Sequence, residues 1–486
     1  MKTKLRRLFA AILALALICA ILPQALASAK TPRLPRGDLT GDGRVLAGDA
    51  RDALRLAAKL IPTTDEALHF GDIDGDGKIT SGDARRILRA AAKLETLPPW
   101  EGTPDFLSVY GNFAAKLLKT QYARERAEGG YKNVMISPLS VMTALAMAEN
   151  GASENTLKQI EEMFGVSVSE LNDMLSGYLK NLPQSEKSRF LAANSVWIRD
   201  GAFDGLVKNF LDNNKEYYNA EVREEPFDEK TLSDVNGWCD EHTDGMIKKI
   251  IDQIDPADVM YLINALTFDA EWERPFETNE SMKGDFTNAD GTKATVQMMC
   301  SDEAASIETR SMVGFVKPYA GGDYSFAALV PRLPRPPQDY ALTSLDIEYM
   351  IGDLEGDTIS AMLGNAKTEN LHVVMPKFES EYDCSMVETL KTLGMTDAFD
   401  GEKADFSGVG KLKDGSNVYI SDVIHKTFVS VDDLGTRAAA VTAIIAKATA
   451  EMQTRTIVFD RPFVYMIVDN ATCLPIFIGV MNQIGE

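Results

Sequence analysis

Two short stretches carry oxygen-bearing residues at a spacing that suits a hard divalent cation. In GDLTGDGRVLAGDA, Asp38, Thr40, Asp42, the Arg44 carbonyl and Asp49 stand at loop positions one, three, five, seven and twelve. In GDIDGDGKITSGDA the same positions hold Asp72, Asp74, Asp76, the Lys78 carbonyl and Asp83. Calcium takes about six to eight such oxygens, and a glycine at position six (Gly43, Gly77) permits the sharp turn the loop needs. A full spacing that occurs twice points to two calcium ions rather than to two unrelated acidic turns.

Other chemistry is sparse. The four histidines, His69, His242, His372 and His425, are scattered. No G-x-S-x-G, H-E-x-x-H or phosphate-binding loop occurs. His425 lies in VYISDVIHKTFVSV, an apolar strand pattern where a hydrogen-bonded core histidine is expected rather than a general base. With no catalytic constellation, the chain is not expected to be an enzyme in the turnover sense. Outside the first thirty residues the cysteines are Cys239, Cys300, Cys384 and Cys473, far apart and without a C-x-x-C pair. Free thiols are the expectation, with one bridge left open. A net charge of −22 excludes a nucleic-acid partner, which needs a basic face.

The elements that must position these residues fall in sequence blocks. Residues 1–29 read as a secretory signal peptide: basic MKTKLRR, apolar LFAAILALALICAIL, then small-residue cleavage sites. The apolar run is short for a membrane span, so none is expected. Each acidic loop is followed by a helix, ARDALRLAAKL and ARRILRAAAKL, and no helix is expected to enter either loop. A Pro-containing linker covers 96–105. From 106 to 486, helical patterns such as PLSVMTALAMAENG alternate with strand-like runs such as LHVVMPKFES, the signature of an α+β domain with a large core.

The loop-helix pair over 36–95 resembles a dockerin, a small all-α calcium-binding module with two loop-helix repeats that plugs into cohesin domains of bacterial scaffoldins. The resemblance maps the two calcium sites onto the ligand residues above; Thr40 stands where Asn or Asp is usual. It places cohesin contact at Ala47, Gly48, Leu54 and Arg55, and at Ser81, Gly82, Leu88 and Arg89. The two copies are alike, which implies binding in either of two orientations. Glycine at both eleventh positions departs from the Ser/Thr pattern of the best-known group.

A second set of motifs runs through 106–486: NVMISPLSVMTALAMAENGA, VNGWCDEHTDGMI, LINALTFDAEWERPF, FTNADGTKATVQMM, MPKFES, LKTLGMTDAFDGEKADFSGV, VIHKTFVSVDDLGTRAAA and RPFVYMIVDNATCLPIFIGVMNQ. In this order they resemble a serpin. The resemblance implies three β-sheets, about eight to nine helices and an exposed reactive loop. One sheet has five strands and opens to accept a sixth. Ser137, Ser140, Asn264 and His425 would form a polar shutter beneath that opening, and Trp272 would stand where insertion begins.

VDDLGTRAAAVTA then becomes the hinge of the reactive loop, comprising Asp433, Gly435, Thr436, Ala438, Ala439, Ala440 and Thr442. Side chains alternate along a strand. If Thr436 points inward, so do Ala438, Ala440, Thr442 and Ile444, all small or apolar, while Arg437 points to solvent. Inward charges would be desolvated at a cost of about several kcal/mol, so this hinge suits rapid insertion. The resemblance places the scissile bond about fourteen residues after the hinge glycine, at Thr449–Ala450. A loop a residue or two longer than usual leaves Glu451–Met452 open, and Lys447–Ala448, though early, would suit a trypsin-like enzyme. Small residues in IIAKATAE suit elastase-like or subtilisin-like proteases.

The expected protein is a secreted inhibitor of serine proteases, monomeric in its serpin domain, needing no cofactor there, and anchored through its dockerin to an extracellular, cellulosome-like complex. The alternative is a non-inhibitory serpin-fold protein delivered to the same complex.

Overall fold

The computed structural model describes residues 39, 47–73, 78–91, 105–185, 187–278, 282–332, 344–436 and 454–485. The signal peptide, linker residues 96–104, the ligand positions 38, 40, 42, 44, 74 and 76, the hinge beyond 436 and all candidate scissile bonds lie outside them. The described residues separate into two compact units, one within Lys30–Pro104 and one from Asp105 onward. Among the described residues no helix is long and apolar enough to cross a membrane.

In the smaller unit, helices Ala47–Ala57 and Ser81–Ala91 bury Ala50, Ala53, Leu56, Ala84 and Ile87 in one apolar core. The sequence gives no sign of a helix before either loop, yet Asp65–Gly71 is a helix that leads into the second. Thr64 caps it, its hydroxyl accepting from the Ala67 amide at 3.0 Å. The cap, rather than an apolar period, starts this seven-residue helix.

The larger unit holds sheets of nine, six and two strands and nine α-helices among its described residues. The six-stranded sheet runs in the order Phe378–Ser385, Ile424–Val431, Gly435–Thr436, Met260–Glu271, Ser188–Arg199, Glu221–Glu225. Five strands are of ordinary length. The sixth has two residues and sits between the central pair.

Both faces of this sheet are covered, which explains the near-continuous apolar run LINALTF. On one face Leu266, Phe268 and Ala270 join the main core. On the other, Ile263 and Ala265 meet Trp197 and the Val235, Trp238 and Cys239 face of helix Glu229–His242. Helix Pro138–Glu149 is buried on nearly all sides in the main core. It starts where it does because Ser137 caps it and Pro138 occupies its first turn, where a missing amide costs nothing.

Candidate functional site: a half-built strand between two others

The two-residue strand marks the site. Thr436 pairs with Val431 on one side and Ala270 on the other, and Gly435 pairs with Glu271. Beyond these pairs, no ladder joins Met260–Glu271 to Ile424–Val431 among the described residues. Toward the far ends of those strands lies a cavity of ≈ 1010 Å³, lined among others by Ser140, Leu145, Met260, Asn264, Cys384 and Ile424.

At the paired end the chain is held closely. Asp432 folds the approach into a turn, its carboxylate accepting from the amides of Leu434 at 2.8 Å and Gly435 at 3.0 Å. Three consecutive carbonyls then accept from one short segment. Asp432 O takes the Trp272 indole N–H at 2.8 Å. Asp433 O takes the Phe276 amide at 2.8 Å, and Leu434 O takes the Trp272 amide at 2.9 Å. The Asp433 carboxylate pairs with Lys377. Thr436 is 1 % exposed, and its hydroxyl meets the Tyr319 hydroxyl at 2.6 Å. The Trp272 ring lies flat on Tyr319, centroids 4.5 Å apart.

Under the unpaired interval the sequence-predicted polar residues are only partly joined. His425 is buried, and its Nε2 accepts from the Ser137 amide at 3.1 Å. The Ser137 hydroxyl donates to the Ile476 carbonyl at 3.0 Å and accepts from the Ser140 amide at 3.2 Å. Asn264 lines the same cavity as Ser140, but its amide donates to Asn194 at 2.8 Å rather than to His425. The Asn264 Oδ1 is buried without a hydrogen-bond partner among the described residues. Ser137, Ser140 and His425 thus form one chain of bonds, and Asn264, bonded to Asn194, stands outside it.

Burial pushes the His425 imidazole down to about 4 from its ordinary 6.5. It is neutral at pH 7, as its acceptor role requires. The unfolded chain takes up a proton near pH 6.5 and the folded chain near 4. Stability from this group is therefore present above pH 6.5 and is lost as pH falls toward 4, by about 3 kcal/mol. His425→Gln is expected to flatten that acid limb; an unchanged pH profile in denaturant unfolding would contradict it.

Several members of this site were missed from sequence. Tyr319 lies in KPYAGG, which falls outside all the motifs quoted above. Lys377 and Phe276 lie inside quoted motifs without having been given a role. Only their meeting with residues 432–436 identifies them. The cysteines, by contrast, behave as expected: Cys239, Cys300, Cys384 and Cys473 are all unbridged.

In the smaller unit, the carboxylates at the twelfth loop positions, Asp49 and Asp83, are fully buried. Asp83 accepts from the amides of Ile73 and Thr80, each at 2.8 Å, and from the Thr80 hydroxyl at 2.7 Å. Asp49 accepts from the Leu39 amide at 3.0 Å. Both carboxylates are pre-oriented where their loops close, which fits oxygen ligation of a hard cation. On the exiting helices the equivalent leucines, Leu54 and Leu88, are 50 % and 49 % exposed, so the two helices offer matching apolar surfaces.

A family model described as serpin (serine protease inhibitor) matches residues 108–484. One described as dockerin type I domain matches 36–90. A serpin-like protein of Thermococcus kodakarensis is 29 % identical over 364 residues, covering 73 % of this chain and 81 % of the relative. Human Serpin B8 is 30 % identical over 388 residues, covering 77 % of this chain and 98 % of the relative. Among solved structures, the thermophilic serpin tengpin in its native state is 41 % identical with a TM-score of 0.71, covering 81 % of this chain and 98 % of that one. Tengpin in its latent state gives 40 % and 0.65, covering 79 % and 100 %.

Proposed function

The chain belongs to the serpin family, and from that premise we propose that it is a suicide-substrate inhibitor of serine proteases, tethered through its dockerin to a cohesin-bearing scaffoldin outside the cell. The protease attacks the reactive loop and forms an acyl-enzyme. The freed end of the loop then enters the sheet as its missing strand and carries the protease along, so that the ester is never hydrolysed. The inhibitor is consumed once.

The observation that carries this reading is the two-residue strand of Gly435 and Thr436, already in register between the central pair. Continued in that register, Ala438 comes opposite Phe268 and Val429, Ala440 opposite Leu266 and Thr427, and Thr442 opposite Asn264 and His425. The inward residues are small where the walls are apolar. The hydroxyl of Thr442 arrives where the Asn264 Oδ1 lacks a donor. Side-chain size and polarity along the hinge therefore match the walls it would meet.

The test is incubation with elastase-like, subtilisin-like and trypsin-like proteases. An SDS-stable complex is expected with at least one of them, and intact mass of the released peptide identifies the bond, with Thr449–Ala450 expected. Cleavage by every protease with no complex favours the non-inhibitory alternative instead.

Anchoring is proposed to require calcium. The ions would sit on Asp38, Thr40, Asp42, Arg44 O and Asp49, and on Asp72, Asp74, Asp76, Lys78 O and Asp83. They would supply the charge that ties each acidic loop to its helix. Chelation is expected to abolish capture by a cohesin and to leave protease trapping intact. Asp83→Ala should weaken the second site alone. Cohesin capture at full strength in chelator, measured by calorimetry, would contradict this.

A further inference from the structure

A buried ion pair beneath the hinge has no place in the reading above. The Lys317 ammonium and the Glu303 carboxylate meet at 2.6 Å, with side chains 1 % and 8 % exposed. Lys317 lies on strand Met312–Pro318 and Glu303 on strand Lys293–Glu308. Glu303 also accepts from the Ser301 hydroxyl at 2.6 Å. Burial pulls the lysine below its usual range, and Glu303 opposes that pull. For packing alone the pair is a poor choice, since apolar residues of like volume are commonly as stable or more so.

Its surroundings indicate what an apolar pair would not do. The Lys317 ammonium stands 4.2 Å from the centre of the Phe276 ring and 5.6 Å from that of Trp272. The two rings meet edge to face, centroids 5.7 Å apart. A cation is attracted to the face of an aromatic ring, so it orients rings as a methyl group does not. Phe276 and Trp272 are the residues whose N–H groups hold the Asp432, Asp433 and Leu434 carbonyls. The contacts run in one line from Glu303 to Lys317, to two rings, to three carbonyls, to the hinge.

We infer that Lys317, fixed by Glu303, is a positioning residue: it orients Trp272 and Phe276 so that segment 432–436 is held in strand register and insertion starts from a strand already begun. The protease never touches it. Without the cation the three donors fan out, insertion starts later, and more acyl-enzyme is hydrolysed before it is trapped.

The test uses the full chain and the variant K317M/E303Q, which removes both charges, keeps the side-chain volumes and leaves Ser301 an acceptor. Two measurements are made. In the first, which rests on the inhibitory reading, the ratio of acyl-enzyme hydrolysed to acyl-enzyme trapped should rise at least about threefold, the factor a weak cation–π contact supplies. Binding to a protease whose catalytic serine is replaced should not change. The second measurement is independent of that reading. Amide hydrogen exchange at Trp272 and Phe276 should accelerate at least about threefold, again the weak cation–π factor, while the Met260–Glu271 strand stays protected. Unchanged exchange at those two amides overturns the inference whatever the chain does to proteases. Exchange that rises throughout the sheet also overturns it, because the pair is then a general stabiliser. If the wild type traps no protease, the proposed function fails and the exchange result alone decides. Should the double variant not fold, Phe276→Leu keeps the ion pair, removes the ring beneath it, and is expected to speed exchange at the residue-276 amide; unchanged exchange there overturns the inference.

Discussion

A chain carrying Thr436→Glu is expected to be cut by its target protease and to let that protease go. Thr436 is buried against Tyr319, its hydroxyl paired there at 2.6 Å, with Val431 and Ala270 as ladder neighbours. The Tyr319 ring packs edge to face on Phe268 and flat on Trp272. A carboxylate pressed into that wall would be buried without a cation to pair with it, at a cost of about several kcal/mol. The new side chain would leave the sheet, and the strand would have to be started afresh after cleavage. Insertion competes with hydrolysis of the acyl-enzyme, so even about 1.4 kcal/mol added to the insertion barrier shifts the outcome tenfold. Gel analysis should show cleaved chain accumulating in large excess over the SDS-stable complex. The milder Tyr319→Phe removes only the hydroxyl partner and should cost about 1 kcal/mol of stability. A Thr436→Glu chain that traps protease one for one would show that the hinge does not need this pocket.

Glu149→Gln is expected to stabilise the protein at alkaline pH and to change it little in acid. Glu149 ends helix Pro138–Glu149, 1 % exposed, and neither carboxyl oxygen has a hydrogen-bond partner among the described residues. Burial, with the Glu161 charge adding to it, pushes its carboxyl up to about 8 from 4.5. A helix C-terminus also disfavours an anion. The unfolded chain gives up this proton near pH 4.5 and the folded chain near 8. Stability from the group is therefore complete below pH 4.5 and lost as pH rises through 8, by about 5 kcal/mol in all. Glutamine has the same shape and no charge, so the alkaline decline should flatten. The check is the denaturant midpoint at pH 5, 7 and 9. Parallel wild-type and variant curves would mean that Glu149 ionises freely in the folded state.

The Glu149 effect at neutral and alkaline pH and the His425 effect in acid act on one helix from opposite ends. Ser137, at its start, donates to His425, and Glu149 closes it. Their opposing pH dependences bracket the stability optimum between about 5 and 7, where neither group is forced to carry a buried charge.

Much of this was readable before any fold was known, for local reasons. Ligand spacing in the two acidic loops is a matter of twelve consecutive residues. The small side chains of the proposed hinge are legible for the same reason, since the alternation of Thr436, Ala438, Ala440, Thr442 and Ile444 is a property of nine consecutive positions. His425 sat in a strand pattern and is a core residue. The cradle around the hinge was not readable, because it is assembled across the chain. Trp272 and Asp432 are 160 residues apart, and Tyr319 and Thr436 are 117 apart. No spacing rule connects such positions. Helix Asp65–Gly71 escaped for the opposite reason: seven residues are too few for a period to emerge.

Residue types and their order alone settle that the chain has a serpin part and a dockerin part. Those properties live in short-range spacing and side-chain volume. Tertiary structure alone decides where the strand begins: Gly435 and Thr436 are paired on the sheet, Thr436 is closed off, and among the described residues no other ladder joins the two flanking strands. It also decides which groups hold it there, because hydrogen bonds and ring contacts depend on distance in space rather than along the chain. The same is true of Asn264, which as sequence belongs with His425 and as structure bonds to Asn194, its partner on the neighbouring strand.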